Sequence, residues 1–293
     1  METLLFILVV VNAGGEGKTT VATLIRIIFF LYGREMLALD GDAGNLALKN
    51  RYNEDLLTKV VGWGVGPETV PEIVKAASSL SVVFDLGANS MASKREISEL
   101  VPVLRSKFAE EGYRTIALMP ISPNKQGASG ALERLAGKLQ GFEICLVRND
   151  RDGSGEFEPV SLAGPCIELP HLQPGLQAYL TRSKRPILDA ILYPELGYTR
   201  AAQFFGDWVR SFASDPSTQR LLGRDVCEAA IRQLPQPPTP IRVRLEKADQ
   251  VTDQRLGDFD RRTIIMDLLD VYGDTPDGLH RAADELERRA AAA

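Results

Sequence analysis

Apolar residues along this chain gather in short, almost unbroken runs, with longer segments of mixed character between them. The runs are Leu4–Val11, Met36–Leu39, Ser81–Leu86, Thr115–Met119, Glu143–Val147 and Cys166–Leu169. A strand that alternates apolar and polar residues keeps one face wet; a strand apolar throughout needs cover on both faces. A parallel neighbour can be reached only through a crossover, so such runs separated by helical segments predict an α/β fold, a mainly parallel sheet with helices on both faces. The stretch from Val21 to Tyr32 reads as the first crossover helix. In sheets of this kind ligands sit at the carboxyl ends of the strands, which directs attention to the residues just after each run.

The pattern changes after Asp215. Four prolines in Leu234-Pro235-Gln236-Pro237-Pro238-Thr239-Pro240 remove donors and fix φ, which predicts an extended linker. Beyond it, Ile264, Ile265, Leu268 and Leu269 fall at helical spacing within Arg261–Tyr272, and a second, mainly polar helix is expected over Asp277–Ala292. The organisation expected is a first domain over 1–213, a linker region with its Pro-rich segment over 214–242, and a small helical C-terminal extension over 243–293. That extension is either a pair of solvated helices or a module for docking a partner.

Composition narrows the class. The chain has 293 residues, 44% of them hydrophobic and 25% charged, as in an ordinary globular protein. A net charge of −5 argues against coating nucleic acid through bulk charge, although a local patch such as Arg182, Lys184 and Arg185 leaves DNA contact open. Cys145, Cys166 and Cys227 form no CxxC pair, and with His171 and His280 alone there is no metal-ligand spacing; a reducing cytoplasm is the compartment expected. No run approaches the roughly 20 apolar residues of a membrane helix, and the chain's end has few bulky apolar residues, so no membrane partner is expected.

The segment carrying chemistry follows the first run: Val11-Asn12-Ala13-Gly14-Gly15-Glu16-Gly17-Lys18-Thr19-Thr20. Glycines let consecutive N–H groups turn inward toward phosphate oxygens, and the following helix adds the positive end of its dipole. Lys18 is placed to reach the β and γ phosphates, and the Thr19 hydroxyl to ligate Mg²⁺. Gly14, Gly15, Glu16, Gly17, Lys18, Thr19 and Thr20 are therefore the candidate nucleotide-binding residues. The general pattern wants a further glycine where Asn12 stands. The segment resembles instead the deviant Walker A form Lys-Gly-Gly-x-Gly-Lys-Thr-Thr of the ParA and MinD type ATPases, at Gly14, Gly15, Gly17, Lys18, Thr19 and Thr20. Ala13 occupies the position of that family's signature lysine, whose loss removes a charge able to offset the transition state of phosphoryl transfer.

Two further strand ends belong to the same pattern. Asp40-Gly41-Asp42 follows the second run, and the resemblance places Asp42 in a switch that orients the attacking water and supports Mg²⁺; an Asp-Gly turn is the plain alternative. Val82-Val83-Phe84-Asp85-Leu86-Gly87 matches a Walker B strand, with Asp85 serving the metal's water shell. Lys18, Asp42 and Asp85 are the candidate catalytic residues, and Thr19, Asp42 and Asp85 the candidate metal ligands. Asn149 stands at the end of the fifth expected strand, where the family's asparagine meets adenine; capping the next turn is the competing role. Glu168-Leu169-Pro170-His171 resembles the family's last strand and the proline loop beside the base. No Asn-Lys-x-Asp guanine signature is present, Asn124-Lys125-Gln126-Gly127 falling short at its last position.

The resemblance spans about residues 1–213. It implies an ATP- and Mg²⁺-binding switch that exchanges ATP for ADP, dimerises or meets a protein partner, and serves plasmid maintenance, partition or conjugal transfer, with weak ATPase activity. A nucleotide-bound scaffold with little hydrolysis and an ATP-dependent small-molecule ligase are the other readings of the same fold.

Overall fold

The computed structural model describes residues 3–11, 14–42, 48, 58–61, 65–87, 95–123, 127–172, 175–176, 179–180, 186–194, 199–235, 281, 284–285 and 288. Seven strands form one sheet: β1 (Leu5–Val9), β2 (Met36–Asp40), β3 (Thr58–Val60), β4 (Ser81–Asp85), β5 (Arg114–Ile121), β6 (Glu143–Asn149) and β7 (Cys166–Leu169). Their order is β3-β2-β4-β1-β5-β6-β7, and every pairing is parallel. The α/β class and the parallel sheet read from the apolar runs are thus what the chain adopts. β3 has no apolar run to announce it, being the short and half-exposed Thr58-Lys59-Val60.

The described helices are α1 (Lys18–Leu31), α2 (Val70–Ala77), α3 (Val101–Glu110, entered through a π turn at Glu96–Leu100), α4 (Ala128–Ala136), α5 (Ile187–Leu192), α6 (Thr199–Ser214), α7 (Pro216–Leu222) and α8 (Arg224–Gln233). Side chains alternate across a strand, so β1 feeds two cores. Leu5, Ile7 and Val9 pack with buried residues of α1 and α5 to α8, while Phe6 and Leu8 pack with those of α2, α3 and α4. On the second side Phe6 stacks on Phe108 with centroids 4.5 Å apart. On the first, α8 covers α1, which explains why α1 is apolar nearly all round.

Within the region 214–242 expected as a linker, α7 and α8 occupy Pro216–Leu222 and Arg224–Gln233, while residues 236–242 of the Pro-rich segment lie outside the described residues. Asp215 caps α7, its Oδ1 accepting from Ser217 N at 2.8 Å and Thr218 N at 3.0 Å, and Pro216 takes the first helical position, where a missing N–H is harmless. The chain divides into two compact units, Met1–Gln236 and Pro237–Ala293. In the second unit Arg281, Asp284, Glu285 and Arg288 are helical, within the helix expected over Asp277–Ala292. The helix expected over Arg261–Tyr272 lies outside the described residues.

Candidate functional site

The end of β1 runs into the glycine segment, and α1 begins at Lys18. Gly15 and Gly17 take φ of 79° and 94°, the left-handed turn that curls the backbone before the helix. No side chain caps the first turn of α1 and no acidic residue lies within that turn, so its leading N–H groups have no side-chain cap of their own. Lys18 is buried at 8% exposure. Asn12 and Ala13 lie outside the described residues. Gly14 and Gly15 are exposed, and Thr19 and Thr20 half-buried.

On one side of this loop stands β4. Thr19 Oγ1 donates to Asp85 Oδ2 at 2.7 Å, joining the first turn of α1 to the strand-end carboxylate across 66 residues of sequence. A hydroxyl that gives its one hydrogen to a carboxylate keeps its lone pairs for a cation. Asp85 is paired in register with Asp40 at the end of β2, and both are buried. Asp40 Oδ1 accepts from the N–H of Asp42 at 3.0 Å, shaping the turn on which Asp42 sits half-buried. Among the described residues no group of three or more His, Cys, Asp or Glu side chains could hold a metal by itself. Mg²⁺ takes one or two protein oxygens and completes its shell from phosphate and water. Thr19 and Asp85 fit such an ion, with Asp40 beside them; sequence reasoning assigned only Asp42 of the Asp-Gly-Asp pair, although Asp40 is the deeper carboxylate.

The loops after β2 and β4 touch through their backbones. Gly41 N donates to Asp85 O at 2.9 Å, and a Cβ on Gly87 would lie 2.5 Å from the Gly41 carbonyl oxygen. Only glycine fits that approach at position 87.

On the other side of the loop stand β5 and β6. Glu16, 1% exposed, accepts from the Ser122 N–H at 2.7 Å, which pins the loop to the end of β5. Asn149 Nδ2 donates to the Glu16 carbonyl at 3.0 Å and lies so close to Gly17 that a Cβ there would sit 2.3 Å from it. Asn149 thus braces the glycine loop, a role that neither the adenine reading nor the turn cap included. Arg151 Nη1 donates to the Gly15 carbonyl at 3.1 Å. Ser122 and Arg151 were missed because such bonds cross more than a hundred residues of sequence. His171 follows β7 and its Nδ1 donates to the Arg151 carbonyl at 2.9 Å, so the Glu168–His171 segment ends against the turn after β6. Residues 181–185 and 124–126 lie outside the described residues.

No protein-family model matches the chain, and no curated protein matches it. Solved structures do. One is the septum site-determining protein MinD from Pyrococcus horikoshii complexed with Mg-ADP, 18% identical, covering 76% of this chain and 99% of that one with a TM-score of 0.49. Another is the MinC:MinD cell division protein complex of Aquifex aeolicus, at 16% identity, 70% and 94% coverage and a TM-score of 0.44. A third is the signal recognition particle 54 kDa protein of Aeropyrum pernix in complex with GDP, at 13% identity, 99% and 57% coverage and a TM-score of 0.40. Likenesses this weak carry no argument about what this chain does. The chemistry is carried by the chain's own residues.

Proposed function

We propose that this chain binds a nucleoside triphosphate with Mg²⁺ on the glycine loop between β1 and α1, and acts as a nucleotide-dependent switch. The observation that carries this reading is the 2.7 Å bond from Thr19 to Asp85, beneath a loop with two left-handed glycines and a buried lysine. Any one of these features is ordinary. Together they supply the parts needed to hold a polyphosphate: a glycine turn at a helix start, an ammonium, a hydroxyl beside a carboxylate.

Phosphate oxygens would accept from the N–H groups at the start of α1, and the Lys18 ammonium would sit against the terminal phosphates. Thr19 and Asp85 would hold Mg²⁺, which when bound neutralises charge across the β and γ phosphates. The Asp42 carboxylate is suited to orient an attacking water. Because the loops after β2 and β4 meet at Gly41 and Gly87, a movement of one is passed to the other, and a partner touching either loop reads the nucleotide state.

The nucleotide we assign is ATP, on the likeness to the ParA and MinD type motif, and the biological setting we infer is plasmid maintenance, partition or conjugal transfer through a homodimer, a protein partner or DNA. Alanine at position 13 favours slow turnover, and keeps a second reading in play: a nucleotide-bound scaffold that hydrolyses little. Calorimetric titration with Mg·ATP and a phosphate-release assay on the same sample, with and without DNA, test both. Binding with DNA-stimulated turnover supports the partition-type switch, and binding without turnover the scaffold. Lys18→Ala removes a charge-assisted bond and is expected to weaken Mg·ATP at least tenfold. A wild-type chain with no affinity for any triphosphate in the presence of Mg²⁺ overturns the site.

A further inference from the structure

The glycine loop meets a second cation from the β6 side. Arg151 lies two residues beyond β6 with its side chain exposed, and its guanidinium donates once, to the Gly15 carbonyl at 3.1 Å. Among the described residues no carboxylate neutralises it. A guanidinium carries five N–H donors, so most of its capacity faces outward from the loop.

The position is built rather than incidental. Arg151 N–H donates to the Asn149 carbonyl at 2.7 Å, and the preceding Asp150 N–H to the Leu169 carbonyl at 3.0 Å, which ties the turn to the end of β7. His171 Nδ1 donates to the Arg151 carbonyl, and its ring lies where a Cβ on Gly153 would be only 3.3 Å away. The neighbouring carboxylates are engaged within the same loop: Asp150 Oδ1 accepts from Gly155 N at 3.0 Å and Asp152 Oδ1 from Ser154 Oγ at 2.7 Å. The loop from Asn149 to Gly155 therefore holds one arginine over the glycine segment, from a fixed base.

The sheet order says which end of a ligand this arginine meets. On the phosphate-binding reading Thr19 and Asp85, which lie on the β4 side of β1, would place the metal and with it the terminal phosphates there. Arg151 arrives from the opposite direction, beyond β5. A nucleotide whose phosphate tail points toward β4 carries its nucleoside toward β6 and β7, across the carboxyl ends of the strands. A guanidinium is planar and weakly hydrated, and it stacks on π faces. We propose that Arg151 is the nucleoside-side wall of the site, its plane covering the base while its bond to Gly15 sets its distance from the phosphates. This assignment rests on the phosphate-binding reading above. A stacking plane reads the π face rather than the hydrogen-bond pattern, so it holds adenine and guanine nucleotides alike.

The test is a titration of the full chain with Mg·ATP, Mg·ADP and inorganic tripolyphosphate, for wild type, Arg151→Ala and Arg151→Lys, with matched thermal melts as the control for folding. Arg151→Ala is expected to weaken ATP and ADP by the same factor, about fivefold, and to leave tripolyphosphate unchanged. Lysine keeps the charge but not the plane, and recovers part of the loss. Unchanged ATP affinity in Arg151→Ala, a matching loss for tripolyphosphate, or full recovery by lysine each overturns the wall while leaving the phosphate site standing. A wild-type chain that binds none of the three ligands overturns both.

Discussion

Gly17 is the position where backbone geometry, packing and the site meet, and Gly17→Ala turns that meeting into a measurable energy. The residue sits at φ 94°, ψ 18°, where a Cβ costs about 1 kcal/mol. The same Cβ would lie 2.3 Å from Asn149 Nδ2 and 3.1 Å from its Cγ, so the amide must withdraw and give up its bond to the Glu16 carbonyl. Losing a buried hydrogen bond costs about 1 kcal/mol more, and alanine at position 17 should destabilise the first unit by about 2 kcal/mol. Asn149→Ala alone loses the bond, about 1 kcal/mol, and removes the obstacle. In that background Gly17→Ala should cost only its backbone share, so the double variant is more stable than the sum of the singles predicts by about 1 kcal/mol. Urea unfolding followed by tryptophan fluorescence reads this, because Trp208 is buried in the first unit with its Nε1 bonded to the Pro170 carbonyl at 2.8 Å. Additive costs, or a Gly17→Ala cost below about 0.5 kcal/mol, would refute the claim that Asn149 and Gly17 are fitted to each other.

Three other outcomes are expected. Asp85→Asn keeps the shape beside Thr19 but not the charge, so Mg²⁺ should strengthen ATP binding about tenfold less than in wild type while affinity in chelator is unchanged; parallel titrations with Mg²⁺ and EDTA check this. Asp215→Ala removes the cap of α7 and the acceptor that Glu168 N–H reaches at 3.3 Å, and should cost about 1–2 kcal/mol in urea unfolding. Burial pushes the Cys227 thiol up to about 12, with Glu228 adding a smaller push, so above the ordinary thiol value of 9.0 the unfolded chain loses a proton that the folded chain keeps. Stability should be fully present below pH 9 and fall as pH rises from there toward 12, with a shallower fall in Cys227→Ala; a slope unchanged by that substitution would count against the assignment.

The sequence made the sheet legible because its signal is local. Cys166–Leu169 is both the run read from the sequence and the strand observed, and Leu4–Val11 contains Leu5–Val9. What escaped was of two kinds. β3 is a three-residue, half-exposed strand whose Lys59 reads as polar surface. The helices α7 and α8 were hidden by prolines: Pro216 reads as a breaker unless Asp215 before it is seen as a cap, and the prolines after Leu234 coloured the whole segment. In the site, the residues legible in advance were those in one continuous motif or at a strand end. Thr19, Asp42 and Asp85 were expected at one metal, and of these Thr19 and Asp85 are bonded to each other. The bracing of the loop by Asn149, Ser122 and Arg151 depends on which strands lie beside β1, and sheet order is not written in any window of sequence.

That order also gives the site a direction. Left-handed glycines such as Gly15 and Gly17 lose more conformational freedom on ordering than other residues, at about 1–2 kcal/mol each for the backbone. Bonds from Ser122, Asn149 and Arg151, all from the β5–β6 side, hold the loop in shape, so an arriving anion does not meet that ordering cost. The Thr19–Asp85 pair proposed to hold the cation and the two touching glycine turns lie on the β2–β4 side. On the proposed reading, one flank is braced before a ligand binds, while on the other a Mg²⁺ held beside Asp85 would meet the turn whose Gly87 lies against Gly41. Binding energy that is not consumed in ordering the cradle is available to move the loops after β2 and β4, which is the requirement for a switch whose output differs between triphosphate and diphosphate.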